Sequence, residues 1–201
     1  MFYEPRLRNH GLPHDPFKAL VAPRPIGWIS TLSAEGRPNL APYSFFNAFS
    51  ERPAIVGFSS QGMKDSATNA RDTGEFVCNI VSERDAAAMN ASSGAYPPGI
   101  SEFEKAGLEM EPSRLVRPPR VKGILAALEC RTTALIPLAG LDGVAGPYTL
   151  VLGEVVGIHV DDAVLKDGQV DPLALRQLAR LGYMDYAAVE RVFALDRPRI
   201  G

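Results

Sequence analysis

The 201-residue chain carries 21 Lys and Arg against 23 Asp and Glu, a formal net charge of -2, with 46% hydrophobic and 22% charged residues. That mixture excludes intrinsic disorder and provides for one sizeable core, so a single domain over 1–201 is expected. A mildly acidic balance gives no electrostatic case for nucleic acid, and none is expected as a partner.

No apolar stretch approaches the roughly 18 residues of a membrane span, and the opening "MFYEPRLRNHG" lacks the apolar core of a secretory leader. A soluble, cytoplasmic protein with no membrane partner is expected. Cys78 and Cys130 lie far apart in apolar runs and match no zinc or redox spacing, which makes them buried small hydrophobes. Residues 1–24 hold several prolines and glycines without a sustained period and read as an arm laid over a body.

Aromatic and β-branched residues then mark two strands, "PIGWISTLS" (25–33) and "NLAPYSFFNAF" (39–49). The "AEGRP" between them suits a short hairpin loop at Gly36. "PAIVGFSS" (53–60) and "EFVCNIVS" (75–82) are a third and a fourth strand. The intervening "GMKDSATNARDTG" reads as a short helix, with Asp65 or Ser66 capping its first turn and Gly74 ending it.

"SERDAAAMN" opens on a capping-box pattern, and "SEFEKAG" repeats it at 101–104, with "SSGAYPPGI" as loop between. The runs 124–138 and 148–160 form a long hairpin, in which Gly153 and Gly157 allow bulges. After a turn at "KDGQ", Asp171 as N-cap and Pro172 at the first position predict a helix to about Leu181. Six strands with short inserted helices predict a mainly β, antiparallel barrel rather than a doubly wound sheet.

The helix start after strand three is furnished for an anion. Ser59, Ser60 and Gly62 lead into Lys64, Asp65 and Ser66, followed by Thr68, Asn69 and Arg71. Free amides and the helix dipole favour a phosphate there, and helical spacing puts Lys64, Thr68 and Arg71 on one side. The competing reading is a capped surface helix whose cations are merely solvated.

The uncharged stretch Asn39–Asn47 offers Tyr43, Phe45 and Phe46 for stacking and Ser44 and Asn47 for hydrogen bonds. Strand alternation would turn Tyr43, Phe45 and Asn47 one way and Ser44 and Phe46 the other, and Pro42 marks an edge or bulge. A planar polar ring with a phosphate tail, of flavin or pyridoxal type, fits such a wall and helix together. The same strand is equally readable as barrel core.

His10 and His14 are separated by Gly11 and Pro13, which break the helix a metal pair would need, and no metal site is expected. His159, beside Asp161 and Asp162, reads as a hydrogen-bonded structural histidine.

In order and spacing, "RPIGWIST", "NLAPYSFFNAFS", "IVGFSS", "KDSATNARDTGEFVCNIVS", "LGEVVGIHVDD" and "LARLGYMDYA" resemble the flavin reductase-like family of FMN-binding split barrels. That family includes flavoredoxin-like proteins and reductase components of two-component monooxygenases. The resemblance implies a six-stranded antiparallel Greek-key split barrel, a homodimer, and FMN near the dimer interface. Carried over, Ser30, Thr31 and Ser44, Phe45, Phe46 and Asn47 would lie along the isoalloxazine and ribityl parts. Ser59, Lys64, Asp65 and Ser66 would lie near the phosphate, with Asn69 and Arg71 close by.

The activity implied is NADH- or NADPH-dependent reduction of FMN, with electrons passed to a flavin-dependent monooxygenase or another acceptor. The alternative is an FMN-binding electron carrier or sensor without NAD(P)H turnover. Two departures stand out. Pro147 and Tyr148 occupy the place where shorter members carry a histidine, and Tyr183 stands where many relatives show a glycine.

Overall fold

Two strands consecutive in the chain form the opposite edges of one sheet, and a connection of two residues joins them. A computed structural model describes residues 1–97 and 100–198. Its main sheet comprises β1 (Gly27–Leu32), β2 (Pro38–Tyr43), β3 (Phe46–Glu51), β4 (Ala54–Gln61), β5 (Glu75–Ile80), β6 (Ala126–Ala139) and β7 (Ala145–Val160). The strands are antiparallel in the order β2-β1-β5-β6-β7-β4-β3. Because only Ser44 and Phe45 link β2 to β3, the sheet must curl until its two edges meet. The result is the expected antiparallel Greek-key split barrel.

The single strand expected over 39–49 is therefore two, giving seven strands in place of six. Pro42 lies opposite Trp28 on the edge strand β2, where a missing donor does no harm. The register of β7 on β6 shifts between Leu152 and Gly153 and again between Val155 and Gly157, so both glycines sit at irregularities as expected. At Gly153 the Phe76 ring occupies the space a side chain would take, with Phe76 Cε1 only 2.4 Å from where a Cβ would stand.

Helix α1 (Asp65–Thr73) packs Ala67 and Ala70 into the barrel interior with Ile29, Phe46, Phe58, Phe76 and Val151. Gly74 ends it at φ 73°, its amide bonded to the Ala70 carbonyl. Neither Asp65 nor Ser66 caps its start. Lys64 is the N-cap residue, and its side chain makes no capping hydrogen bond.

A second cluster around Trp28, Leu40, Val77 and Phe103 fills the other face of β1 and β5. The short helices at 86–91 and 102–105 flank it, and the Ser82–Asp85 capping box forms as read. The loop expected over 92–100 includes Pro98 and Gly99, which lie outside the described residues.

The helix expected from Asp171 to Leu181 stops at Leu175. Asp171 does cap it, accepting from the Leu173 amide at 2.8 Å. Arg176 then turns left-handed at φ 45°, its side chain held by Glu83 and Glu190. Leu178–Arg180 continues as a strand between Arg24–Pro25 and Tyr186–Ala188. Tertiary pairing overrides local helix propensity here.

His159 is a structural histidine as expected, and its hydrogen-bond partner is Glu129. Glu129 is fully buried and also accepts the amides of Arg114 and Leu115 at 2.7 and 2.6 Å. Burial alone would raise its pKa; the two amides and the His159 ring outweigh burial and hold the carboxyl below its ordinary value.

A carboxyl more acidic in the folded than in the unfolded state stabilises above its unfolded pKa, about 4.3, and the contribution is lost as pH falls through the folded value. Glu129→Gln should lower the melting temperature at neutral pH by roughly 3–10 °C. It should also flatten the acid limb of melting temperature against pH; an unchanged limb would remove Glu129 from the account of acid stability.

Candidate functional site

The corner at Ser44–Phe45 reverses the alternation expected through this stretch. Tyr43 and Phe46, three residues apart, both turn to the core. Tyr43 packs on Phe58 with ring centroids 4.6 Å apart, and Phe46 is 9% exposed against Gly27. A Cβ at Gly27 would stand 2.6 Å from Phe46 Cδ2, so the glycine is what lets the ring sit there. Phe45 faces away, 5.9 Å from the Tyr148 ring and 5.8 Å beneath the Arg24 guanidinium. Among the described residues, the amides of Ser44 and Phe45 donate to no backbone carbonyl.

Ser44, Phe45, Phe46, Asn47 and Ser59 line one groove of about 660 Å³. Its remaining wall comes from the arm, with Phe17, Leu20 and Val21, and from Phe49, Leu138 and Leu150 on the sheet. Among the described residues Lys18 and Arg24 are the only charged ones that line it. Two polar atoms of the lining, Ser59 Oγ and Arg24 Nε, are buried without a hydrogen-bond partner. Buried polar atoms are ordinarily paired, so these two have hydrogen-bonding capacity left over beside the groove.

Tyr43, Lys64, Asp65 and Ser66 line a neighbouring cavity of about 440 Å³, reached past Pro42. A third, of about 340 Å³, joins the two by sharing Ser44 with the groove and Pro42 with the Lys64 cavity. Lys64 and the first-turn residues of α1 line this cavity, whose lining also carries the carboxylates of Asp65 and Glu102; a helix start without a side-chain cap leaves its first amides free for an anion.

The other residues do not gather there as spacing suggested. Arg71 pairs with Asp72 at 2.7 Å and Thr68 donates to the Met63 carbonyl, so Lys64, Thr68 and Arg71 do not act as one set.

Ser30, Thr31 and Asn69 are buried and satisfied internally. Ser30 donates to the Pro119 carbonyl at 2.5 Å. Thr31 Oγ1 accepts from Asn39 and Asn69 at 3.3 and 3.0 Å, and Asn39 also donates to Ser66 Oγ at 2.9 Å. Ser66 is 1% exposed. Burial raises the Tyr43 phenol above its ordinary pKa, against the opposing influence of the nearby Ser66 and Ser60 hydroxyls. This network fastens α1 to β1 and β2 and so fixes where the helix start points.

Sequence reasoning missed Asn39, the hub of that network, and Arg24. The guanidinium of Arg24 bonds the carbonyls of Lys18, Val21 and Leu181, tying the arm to the C-terminal ribbon. One charge inside the apolar "VAPRPIGW" was the signal available for it.

Residues 20–182 match the family described as "Flavin reductase like domain". An uncharacterized protein of Halalkalibacterium halodurans is 38% identical over 185 residues, which is 90% of this chain and 88% of that protein. The crystal structure of nitrilotriacetate monooxygenase component B from Bacillus cereus is similar at 32% identity and a TM-score of 0.87, over 97% of this chain and 98% of that one. That of 2-nitrobenzoate 2-nitroreductase from Pseudomonas fluorescens is similar at 28% identity and a TM-score of 0.80, over 90% and 88%. With this architecture, and with a family match spanning most of its length, the chain belongs to the flavin reductase-like family, whose members are flavin-related oxidoreductases.

Proposed function

We propose that the protein is an FMN-binding oxidoreductase that accepts reducing equivalents from NADH or NADPH and passes them to a partner or acceptor, working as a cytoplasmic homodimer. The observation that carries this reading is the corner groove, which among the described residues has apolar walls, no acidic residue, two amides without backbone partners, and buried Ser59 Oγ and Arg24 Nε left unpaired. A planar ring with a polar edge fits that chemistry. The family match and the likeness to a monooxygenase component B support flavin as the ring and a monooxygenase as one kind of partner.

When bound, the flavin supplies the redox chemistry itself. The chain's part is positioning and electrostatics. Phe45, Phe49 and Leu150 exclude water from the ring, and the amides of Ser44 and Phe45 are donors for a polar edge that gains negative charge on reduction. Ser59 and Asn47 offer further hydrogen bonds along the groove. Lys64 and the first-turn amides of α1, at Asp65 and Ser66, would hold the phosphate. Thr31 and Asn69 act one layer back, by keeping α1 in place. The exposed Phe17, Leu20, Val21 and Leu138 around the groove favour cover by a second subunit.

The carrier reading keeps one supporting observation. Tyr148, standing where shorter relatives have a histidine, packs on Phe45 at the groove. Purified protein loaded with FMN should show a flavin visible band that bleaches within seconds when NADH or NADPH is added without oxygen. Bleaching by dithionite alone would leave a carrier or sensor, and failure to take up FMN would end both readings.

Lys64→Ala should weaken FMN binding about tenfold, measured by flavin fluorescence, while riboflavin binding stays unchanged. Equal FMN affinity in the variant would put the phosphate elsewhere.

A further inference from the structure

The cavity joining the groove to the Lys64 pocket gathers Arg180 and Lys18 beside Arg24, whose unpaired Nε the flavin reading also draws on. Among the described residues its lining includes Lys18, Arg24 and Arg180 and no Asp or Glu. Arg24 and Arg180 face each other directly in register across two paired strands. Like charges placed opposite in a sheet are destabilising, and buried charges are normally paired.

Neither arginine has a carboxylate within ion-pair distance among the described residues. Arg24 is 7% exposed, bonds only to neutral carbonyls, and keeps its Nε without a partner. Arg180 lies over the Tyr186 ring, 4.4 Å from its centroid, and bonds the Tyr186 hydroxyl and the Tyr183 carbonyl. Burial and the neighbouring Arg180 both lower the Arg24 pKa. Two cations crowded in this way lack a counter-ion.

We infer that this cavity is an anion subsite in which Arg24, Arg180 and Lys18 receive the carboxylate of a small aromatic ligand distinct from the flavin. The rest of the lining sets the class of ligand. Ile26, Met89, Tyr183 and Met184 give apolar and aromatic surface, and about 340 Å³ lies at the small end of ligand cavities, enough for one ring with its acid group. Ser44 and Arg24 border both this cavity and the groove, so the ligand would sit beside whatever the groove holds. Tyr183 takes a left-handed φ of 56° and packs against His14 of the arm. A bulky residue where the backbone favours glycine narrows the mouth, which selects for a small ligand.

Benzoate and its neutral counterpart benzamide test the subsite by calorimetric titration of the full chain, with and without added FMN. The wild type should bind benzoate at least about tenfold more tightly than benzamide. Arg180→Gln should abolish that preference while FMN affinity stays within about twofold, and Arg180→Lys should retain part of it. Lys18→Gln, in the exposed arm, should reduce the preference about threefold and serves if Arg180→Gln fails to fold.

Equal binding of benzoate and benzamide, or of neither, would overturn the assignment. So would an Arg180→Gln protein that loses FMN affinity but keeps riboflavin affinity, since the anion would then be the flavin phosphate. Titration without FMN reads the subsite even if the flavin reading fails.

Discussion

Everything at the candidate site depends on chain continuity between the two edges of the sheet. β2 and β3 lie six places apart in the strand order, yet only Ser44 and Phe45 separate them in sequence. Strand edges carry unpaired amides and carbonyls that normally must be covered. Here the barrel closes by a covalent corner rather than by a last ladder of hydrogen bonds, so some of these groups remain available beside a groove. The corner also decides which aromatic residues are structural. Tyr43 and Phe46 enter the core, and Phe45 is left to face the groove.

A second consequence concerns where charge and polarity are placed. The buried hydroxyls and amides of Thr31, Asn39, Ser66 and Asn69 satisfy one another. Each such bond adds about 1 kcal/mol, and an orphaned member would cost about 1–3 kcal/mol, so the set rigidifies the seat of α1 more than it stabilises the fold. Lys64 is thereby held at a defined helix start instead of on a loose loop. On the other side of Pro42, Arg24 performs the matching task for the arm and the C-terminal ribbon. The groove is walled by segments that are distant in sequence and fastened by side chains to backbone carbonyls.

Much of the architecture was legible because hydrophobic periodicity and turn residues act locally. Gly36, Gly74, the Ser82–Asp85 capping box, Asp171 and the bulge glycines Gly153 and Gly157 all do in the structure what their types dictate. The errors arose where a distant partner decides. Nothing local in "YSFF" announces that one strand becomes two edges, and nothing in "LALRQLAR" announces that Leu178–Arg180 will pair with Arg24–Pro25. Ser59 was expected beside Lys64, Asp65 and Ser66, but it lines the groove with Ser44–Asn47 because β3 and β4 pair side by side, a register no local pattern announces. The inward turn of Ser66 and the role of Asn39 were not legible either, since both follow from how α1 docks. The like-charged pair Arg24–Arg180 is also invisible in sequence, being a cross-strand register.

The proposed function rests on the strand corner as the seat of a flavin ring. A crystal structure of the protein soaked with FMN tests it directly. The account predicts the isoalloxazine in the groove beside Phe45, with its polar edge within hydrogen-bond reach of the Ser44 and Phe45 amides. A ring bound elsewhere, with the corner groove still open to solvent, would contradict it.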